Sequence, residues 1–141
     1  MAITSAICSS FKQQILVEGH NLTGGADSIK LALYTSSATL GAGTTVYVTT
    51  GQATGTNYSA GGNALTNVTP ALSGTTAVCD FADLTFGTAT VTARGCLLYN
   101  TTNGNKALCA IDFGGDKTST AGDFTVVFPS ATATGAIIRL A

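Results

Sequence analysis

The sequence has little charge. Its 141 residues include six lysines and arginines and seven aspartates and glutamates, for a net charge of −1. A nucleic-acid binder needs a basic excess to neutralise phosphates, and a disordered chain needs high charge with low hydrophobicity. Both classes are therefore excluded. Long apolar runs are missing as well, and a bilayer span needs about 20 apolar residues in succession, so we expect no contact with a membrane.

Reactive side chains in catalytic patterns are also scarce. The chain has one histidine, His20, and no tryptophan. There is no G-x-S-x-G elbow, no G-x-x-x-x-G-K-[ST] phosphate loop and no C-x-x-C pair. Asp112, Asp116 and Asp123 make an oxygen-rich segment that could hold Ca²⁺, although turn-stabilising aspartates are the simpler interpretation. We predict no catalytic, cofactor or metal site, no small-molecule substrate and no enzymatic activity.

Threonine, serine and glycine are abundant instead, and threonine suits a half-buried strand. Strand patterns cover residues 28–35, 45–50, 77–81, 90–99, 107–113 and 124–128, and a last strand runs from Ala136 to Ala141. A bulge is predicted at 82–83 and a hairpin at Asn103–Gly104. Residues 51–63 are a loop or an edge strand, and residues 114–122 are a polar loop. Helical spacing appears once, over residues 4–18, with Ser5 as N-cap and Gly19 after the end.

These patterns predict a mainly β fold. We expect one domain over residues 1–141, with the N-terminal α-helix at 4–18 and an antiparallel two-sheet β-sandwich, jelly-roll-like, at 28–141. The four cysteines are predicted to be reduced core thiols, with an unassignable disulfide as the alternative. The N-terminus lacks the basic and long apolar regions of a signal peptide, which favours synthesis in a reducing cytosol.

Several runs carry a resemblance to a known family. Residues 1–16, 29–40, 58–62, 93–100 and 105–114 together resemble small virion structural proteins of tailed bacteriophages. The resemblance implies a virion component, made in the cytoplasm of a bacterial host and similar to capsid decoration, or cement, proteins. It transfers no functional residue.

We therefore expect a non-enzymatic decoration protein that binds the major capsid protein and itself, as a homotrimer first and a dimer second. The expected contact residues are Ile7, Phe11 and Ile15 of the helix and Ile137, Ile138 and Leu140 of the last strand. The helix could instead cover its own core, and the strand could close its own sheet. The alternatives are a tail or tail-fibre subunit and, in another class, a receptor- or carbohydrate-binding module built on the segments 36–44, 51–63 and 114–122.

Overall fold

The computed structural model describes residues 2–17 and 19–141. This part of the chain is mainly β, with two antiparallel sheets and one short N-terminal helix, which confirms the predicted class. In chain order the elements are β1 (Ala6–Ile7), α1 (Ser9–Gln14), a 3₁₀ turn (Ile15–Val17), β2 (Ile29–Tyr34), β3 (Gly55–Thr56), β4 (Asn63–Ala64), β5 (Asn67–Ser73), β6 (Thr76–Phe81), β7 (Leu84–Asn100), β8 (Lys106–Val126) and β9 (Ile138–Leu140).

The larger sheet has the strand order β1-β8-β7-β2-β4, with β3 paired to β7, and the smaller sheet has the order β5-β6-β9. The long hairpin of β7 and β8 forms the centre of the larger sheet. Asn100 pairs with Lys106 across its connection, as the Asn103–Gly104 signal predicts. Gly104 and Asn105 adopt φ values of 66° and 58° there. Glycine and asparagine tolerate this left-handed backbone better than other residues, so the sequence favours the turn locally.

The predicted loop at 114–122 is wrong, because this segment continues β8. Thr118 pairs with Thr92 and their hydroxyls lie 2.8 Å apart, and the Thr85 and Thr125 hydroxyls lie 2.9 Å apart further along. The register slips between the pairs Gly95–Asp112 and Ala93–Lys117, so the four residues 113–116 lie opposite one residue of β7 in an enlarged bulge. The polar residues on which the loop prediction rests lie on the solvent-exposed face of the β7–β8 hairpin, and the other face of this hairpin is buried.

The N-terminal helix is shorter than predicted. It spans Ser9–Gln14, with Cys8 rather than Ser5 at the N-cap, and the 3₁₀ turn extends it to Val17. Residues 6–7 pair with β8 as a short strand, which satisfies backbone groups that a helix would otherwise use. The Ser5 hydroxyl accepts a hydrogen bond from the Asp112 N–H instead. Glu18, the last residue of the predicted helix, lies outside the described residues.

Two further predictions in the first half and the middle of the chain fail, and one strand there has no counterpart in the prediction. Residues 45–50 make an isolated bridge from Val46 to Lys106 but no strand. The chain does not bulge within one strand at 82–83; β6 ends and β7 begins there in the other sheet. Finally, β5 was not expected, because Pro70 interrupts its pattern; it is an edge strand, where a missing N–H is tolerated.

One hydrophobic core draws on both sheets and on α1. Around the middle of β2, β7 and β8 the larger sheet is buried on both faces, so Ala32 and Tyr34 are as inaccessible as Leu31 and Leu33. Part of the cover comes from the loop after β2: the Tyr34 hydroxyl donates to the Val48 carbonyl. All four cysteines are buried in the core and form no disulfide in this structure; their reduced state stays a prediction.

A candidate interaction groove

An apolar groove of about 180 Å³ lies between α1 and the smaller sheet. We call it the helix–sheet groove. Its walls come from the helix and its 3₁₀ extension, from the segment after the helix, and from all three strands of the smaller sheet. Its lining residues are Phe11, Ile15, His20, Leu22, Pro70, Ala77, Val78, Cys79, Ile138 and Leu140.

Strand register places leucines at the exposed end of this groove. Leu72 of β5 pairs with Ala77 of β6, and Ala77 pairs with Leu140 of β9. Directly paired residues share one face of a sheet, so these three side chains form a row. Further along the same face, Cys79 and Ile138 enter the core. Leu72 is 74% exposed and Leu140 is 51% exposed, so the inner face of the smaller sheet extends beyond the core that it covers.

The helix side of the groove is anchored in the core. Phe11 is 1% exposed, and its ring packs against the His20 ring at a centroid distance of 4.9 Å. Ile15 is partly buried against the same core. The face that the helix presents is therefore occupied by its own domain, and only the open part of the groove remains for a partner.

A polar network forms the wall behind His20. His20 Nε2 lies 2.7 Å from Gln14 Oε1, and Asn100 Nδ2 lies 3.0 Å from His20 Nδ1 and 2.7 Å from Asp27 Oδ2. Asn100 is fully buried, and its Oδ1 accepts hydrogen bonds from the Thr102 and Asn103 N–H groups. Those two bonds fix the amide orientation, so Asn100 donates to Nδ1, and Nε2 carries the imidazole proton and donates to Gln14.

Burial lowers the pKa of His20, and Lys106 adds to this effect while Asp27 opposes it. The imidazole is therefore held neutral by its surroundings as well as by its hydrogen bonds.

A second, larger cleft of about 470 Å³ lies along β8, and we call it the β8 cleft. Phenylalanines form much of its wall, and the Phe113 and Phe124 rings pack at 6.2 Å. Val127 at its edge is 71% exposed. The lining residues are Ile111, Phe113, Lys117, Thr118, Ser119, Asp123, Phe124, Thr125, Val126, Val127, Phe128, Pro129 and Ile137.

The structure distributes the six expected contact residues over three places. Four of them, Phe11, Ile15, Ile138 and Leu140, line the helix–sheet groove. Ile137 lines the β8 cleft. Ile7 lies in β1, paired with Cys109 and partly buried against the core. The last strand closes its own sheet by pairing with β6.

Two of the three aspartates of segment 112–123, Asp112 and Asp123, accept hydrogen bonds within the fold, and Asp116 is exposed. Asp112 accepts hydrogen bonds from the Arg94 guanidinium at 2.9 Å and from the Gly114 N–H at 3.0 Å. The Arg94 hydrogen bond lowers the pKa of Asp112, and the Gly114 N–H contributes to the shift. Asp123 accepts from the Thr88 N–H.

Within residues 2–17 and 19–141, no group of three or more histidine, cysteine or acidic side chains is placed to hold a metal ion. In the same part of the chain, no helix is long and apolar enough to cross a bilayer.

Sequence reasoning missed His20, Leu22 and Pro70 in the groove and Leu72 beside it. A predicted strand at β5 would have placed Leu72 on the face of the smaller sheet, but Pro70 in that segment argues against a strand. The link between His20 and Asn100 joins positions 80 apart in the chain, and no local pattern signals such a contact.

Comparisons with family models, with curated proteins and with solved structures find no match for the chain. The resemblance to virion proteins of tailed bacteriophages stays a prediction.

Proposed function

We propose that the protein is a non-enzymatic bacteriophage virion subunit, a capsid decoration protein that stabilises the head shell through repeated contacts with the major capsid protein and with itself. One observation carries the proposal. The helix–sheet groove gathers four of the expected contact residues, and two exposed leucines, Leu72 and Leu140, extend its apolar surface. Exposed apolar patches of this kind mark interaction sites.

The polar atoms near the groove support a binding role. Both ring nitrogens of His20 are engaged, by Gln14 and by Asn100. Cys79, which also lines the groove, has its pKa raised to about 11 by burial. A protonated thiol is a poor nucleophile, so the groove offers apolar area rather than a reactive group.

Low surface charge also suits an assembly component, because a nearly neutral surface disperses single molecules poorly. In this proposal the protein forms a closed homotrimer, with a dimer as second choice, and the repetition of weak contacts over a shell provides avidity. The subunit is made in the cytoplasm of the bacterial host and resides in the virion. We further propose that its two sheets belong to a jelly-roll-like sandwich, for which an experimental structure of the assembled subunit is the test.

The test of docking uses purified protein and empty capsid shells. Leu140→Ser and Leu72→Ser remove apolar area that is already exposed, so both variants should fold. Burial of a leucine in a contact is worth about 2 kcal/mol. Each variant should therefore bind shells at least about tenfold more weakly than the unaltered protein. Val127→Ser is the control, because Val127 is about as exposed as Leu72 but lies at the β8 cleft.

Light scattering on the free protein gives the oligomeric state, and gold-labelled antibody on intact virions gives the location. Label on the heads supports the decoration role, and label on the tail supports the tail or tail-fibre alternative. A stable monomer that binds no shells and is absent from purified particles would contradict the proposal. Binding to a glycan array would instead support the carbohydrate-binding alternative.

A further inference from the structure

The contact between His20 and Asn100 joins the segment after α1 to the end of the β7–β8 hairpin. A second bond reinforces it, since Asn103 Nδ2 donates to the Gly19 carbonyl. On the other side, the Gly19 N–H donates to the Gln14 carbonyl at 2.7 Å and the His20 ring packs on Phe11. Residues 19–20 therefore connect the helix to the hairpin, and we call this connection the tie.

The tie needs a neutral imidazole. Nδ1 is an acceptor, facing an amide nitrogen that can only donate. A proton on Nδ1 would place two donors 3.0 Å apart. The Asn100 side chain has no free rotation with which to adapt, because its oxygen holds the Thr102 and Asn103 N–H groups and its nitrogen also holds Asp27.

We propose that His20 is a pH-operated latch: a proton on its Nδ1 breaks the contact with Asn100 and releases α1 and the segment after it from the β7–β8 hairpin. His20 and Phe11 also line the helix–sheet groove, so release of the latch deforms the groove. The latch stands on the geometry of the isolated protein, whereas its effect on docking rests on the proposed function.

Among residues 2–17 and 19–141, the charged groups that face His20 are Asp27, on the loop before β2, and Lys106, at the start of β8. Burial and Lys106 disfavour the imidazolium, and Asp27 partly offsets them. Because the pKa of His20 is lower in the folded protein than in the open segment, the latch is fully closed above the ordinary value of 6.5. It weakens as the pH falls from 6.5 towards the lowered pKa.

The first experiment is an NMR titration of the imidazole nitrogens, which is unambiguous because His20 is the only histidine. We expect the neutral Nε2–H tautomer at pH 8. Hydrogen exchange, corrected for intrinsic rates, should show residues 9–20 losing about tenfold in protection between pH 7.5 and 5.5, as expected for the loss of one buried hydrogen bond. The paired centre of β7 and β8 should keep its protection.

Variants separate the latch from other carboxyl and imidazole effects. His20→Asn places an oxygen acceptor near the Nδ1 position and cannot be protonated, so it should abolish the acid-dependent loss of protection. Gln14→Glu places a carboxylate beside the imidazole on the released side, which favours the imidazolium, and should move the loss of protection to higher pH. Asp116→Asn, which removes an exposed carboxyl of β8, should leave it intact.

An Nδ1–H tautomer at pH 8, equal loss of protection over the whole molecule, or acid dependence that persists in His20→Asn would overturn the latch. Shell binding at pH 7.5 is a separate measurement. If it fails while the latch behaves as described, only the proposed function falls.

Discussion

Replacement of Asn100 by leucine should destabilise the protein strongly, although the two side chains are similar in size. The amide makes four hydrogen bonds, to His20, Asp27 and the N–H groups of Thr102 and Asn103. Each buried polar group left without a partner costs about 1–3 kcal/mol. His20, Thr102 and Asn103 can partly reach water, which brings the total below four full penalties, to about 3 kcal/mol.

Urea unfolding measures this cost. With a slope of about 2 kcal/mol/M for a small domain, the midpoint should fall by about 1.5 M. Asn63→Leu is the control, because Asn63 is exposed in β4 and surface changes usually stay within about 0.5 kcal/mol. If Asn100→Leu also stays within that range, the buried network contributes no net stability and the reasoning is refuted.

Three other outcomes follow from the structure. Gly62→Ala should destabilise the folded protein by about 3 kcal/mol or more. The added Cβ would lie 1.7 Å from a carbonyl oxygen of β2, and the backbone φ there is 72°. Chemical denaturation measures the loss, with Gly43→Ala as the control because its Cβ would meet nothing within 4 Å. The four buried thiols, whose pKa values burial raises, should resist a thiol reagent at pH 8 until urea unfolds the chain; rapid labelling of the native protein would contradict their burial. Arg94→Gln should raise the pKa of Asp112 towards its ordinary value, and a carboxyl NMR titration measures the change. In the unaltered protein, the stability that the Arg94–Asp112 pair adds is present above that ordinary value and is lost as the pH falls through the lowered pKa.

The strands were predictable where one face of the strand is buried and the other is exposed to solvent. The stretch of β7 from Ala89 to Ala93 alternates in this way, and Asn103–Gly104 marks the hairpin through the backbone freedom of Gly104. Prediction failed in segment 114–122, because the same threonines and glycines are compatible with a loop and with the solvent-exposed face of a β-hairpin. Only the pairing with β7 distinguishes the two.

The candidate site was predictable only in part. The apolar periodicity of Phe11 and Ile15, and the apolar end at Ile138 and Leu140, are local signals. That these two ends of the chain meet in one groove depends on the pairing of β9 with β6 and on the packing of α1 against β8. The polar wall at His20 gave no signal at all.

The amino-acid sequence by itself determined the mainly β class, the central hairpin and the scarcity of charge, since these follow from side-chain periodicity, turn chemistry and composition, which act between near neighbours. The tertiary structure alone decided where the helix begins, which strand the polar segment joins and which apolar residues stay exposed. Those outcomes depend on hydrogen bonds and contacts between residues far apart in the chain, such as Ile7 with Cys109 and Leu140 with Ala77.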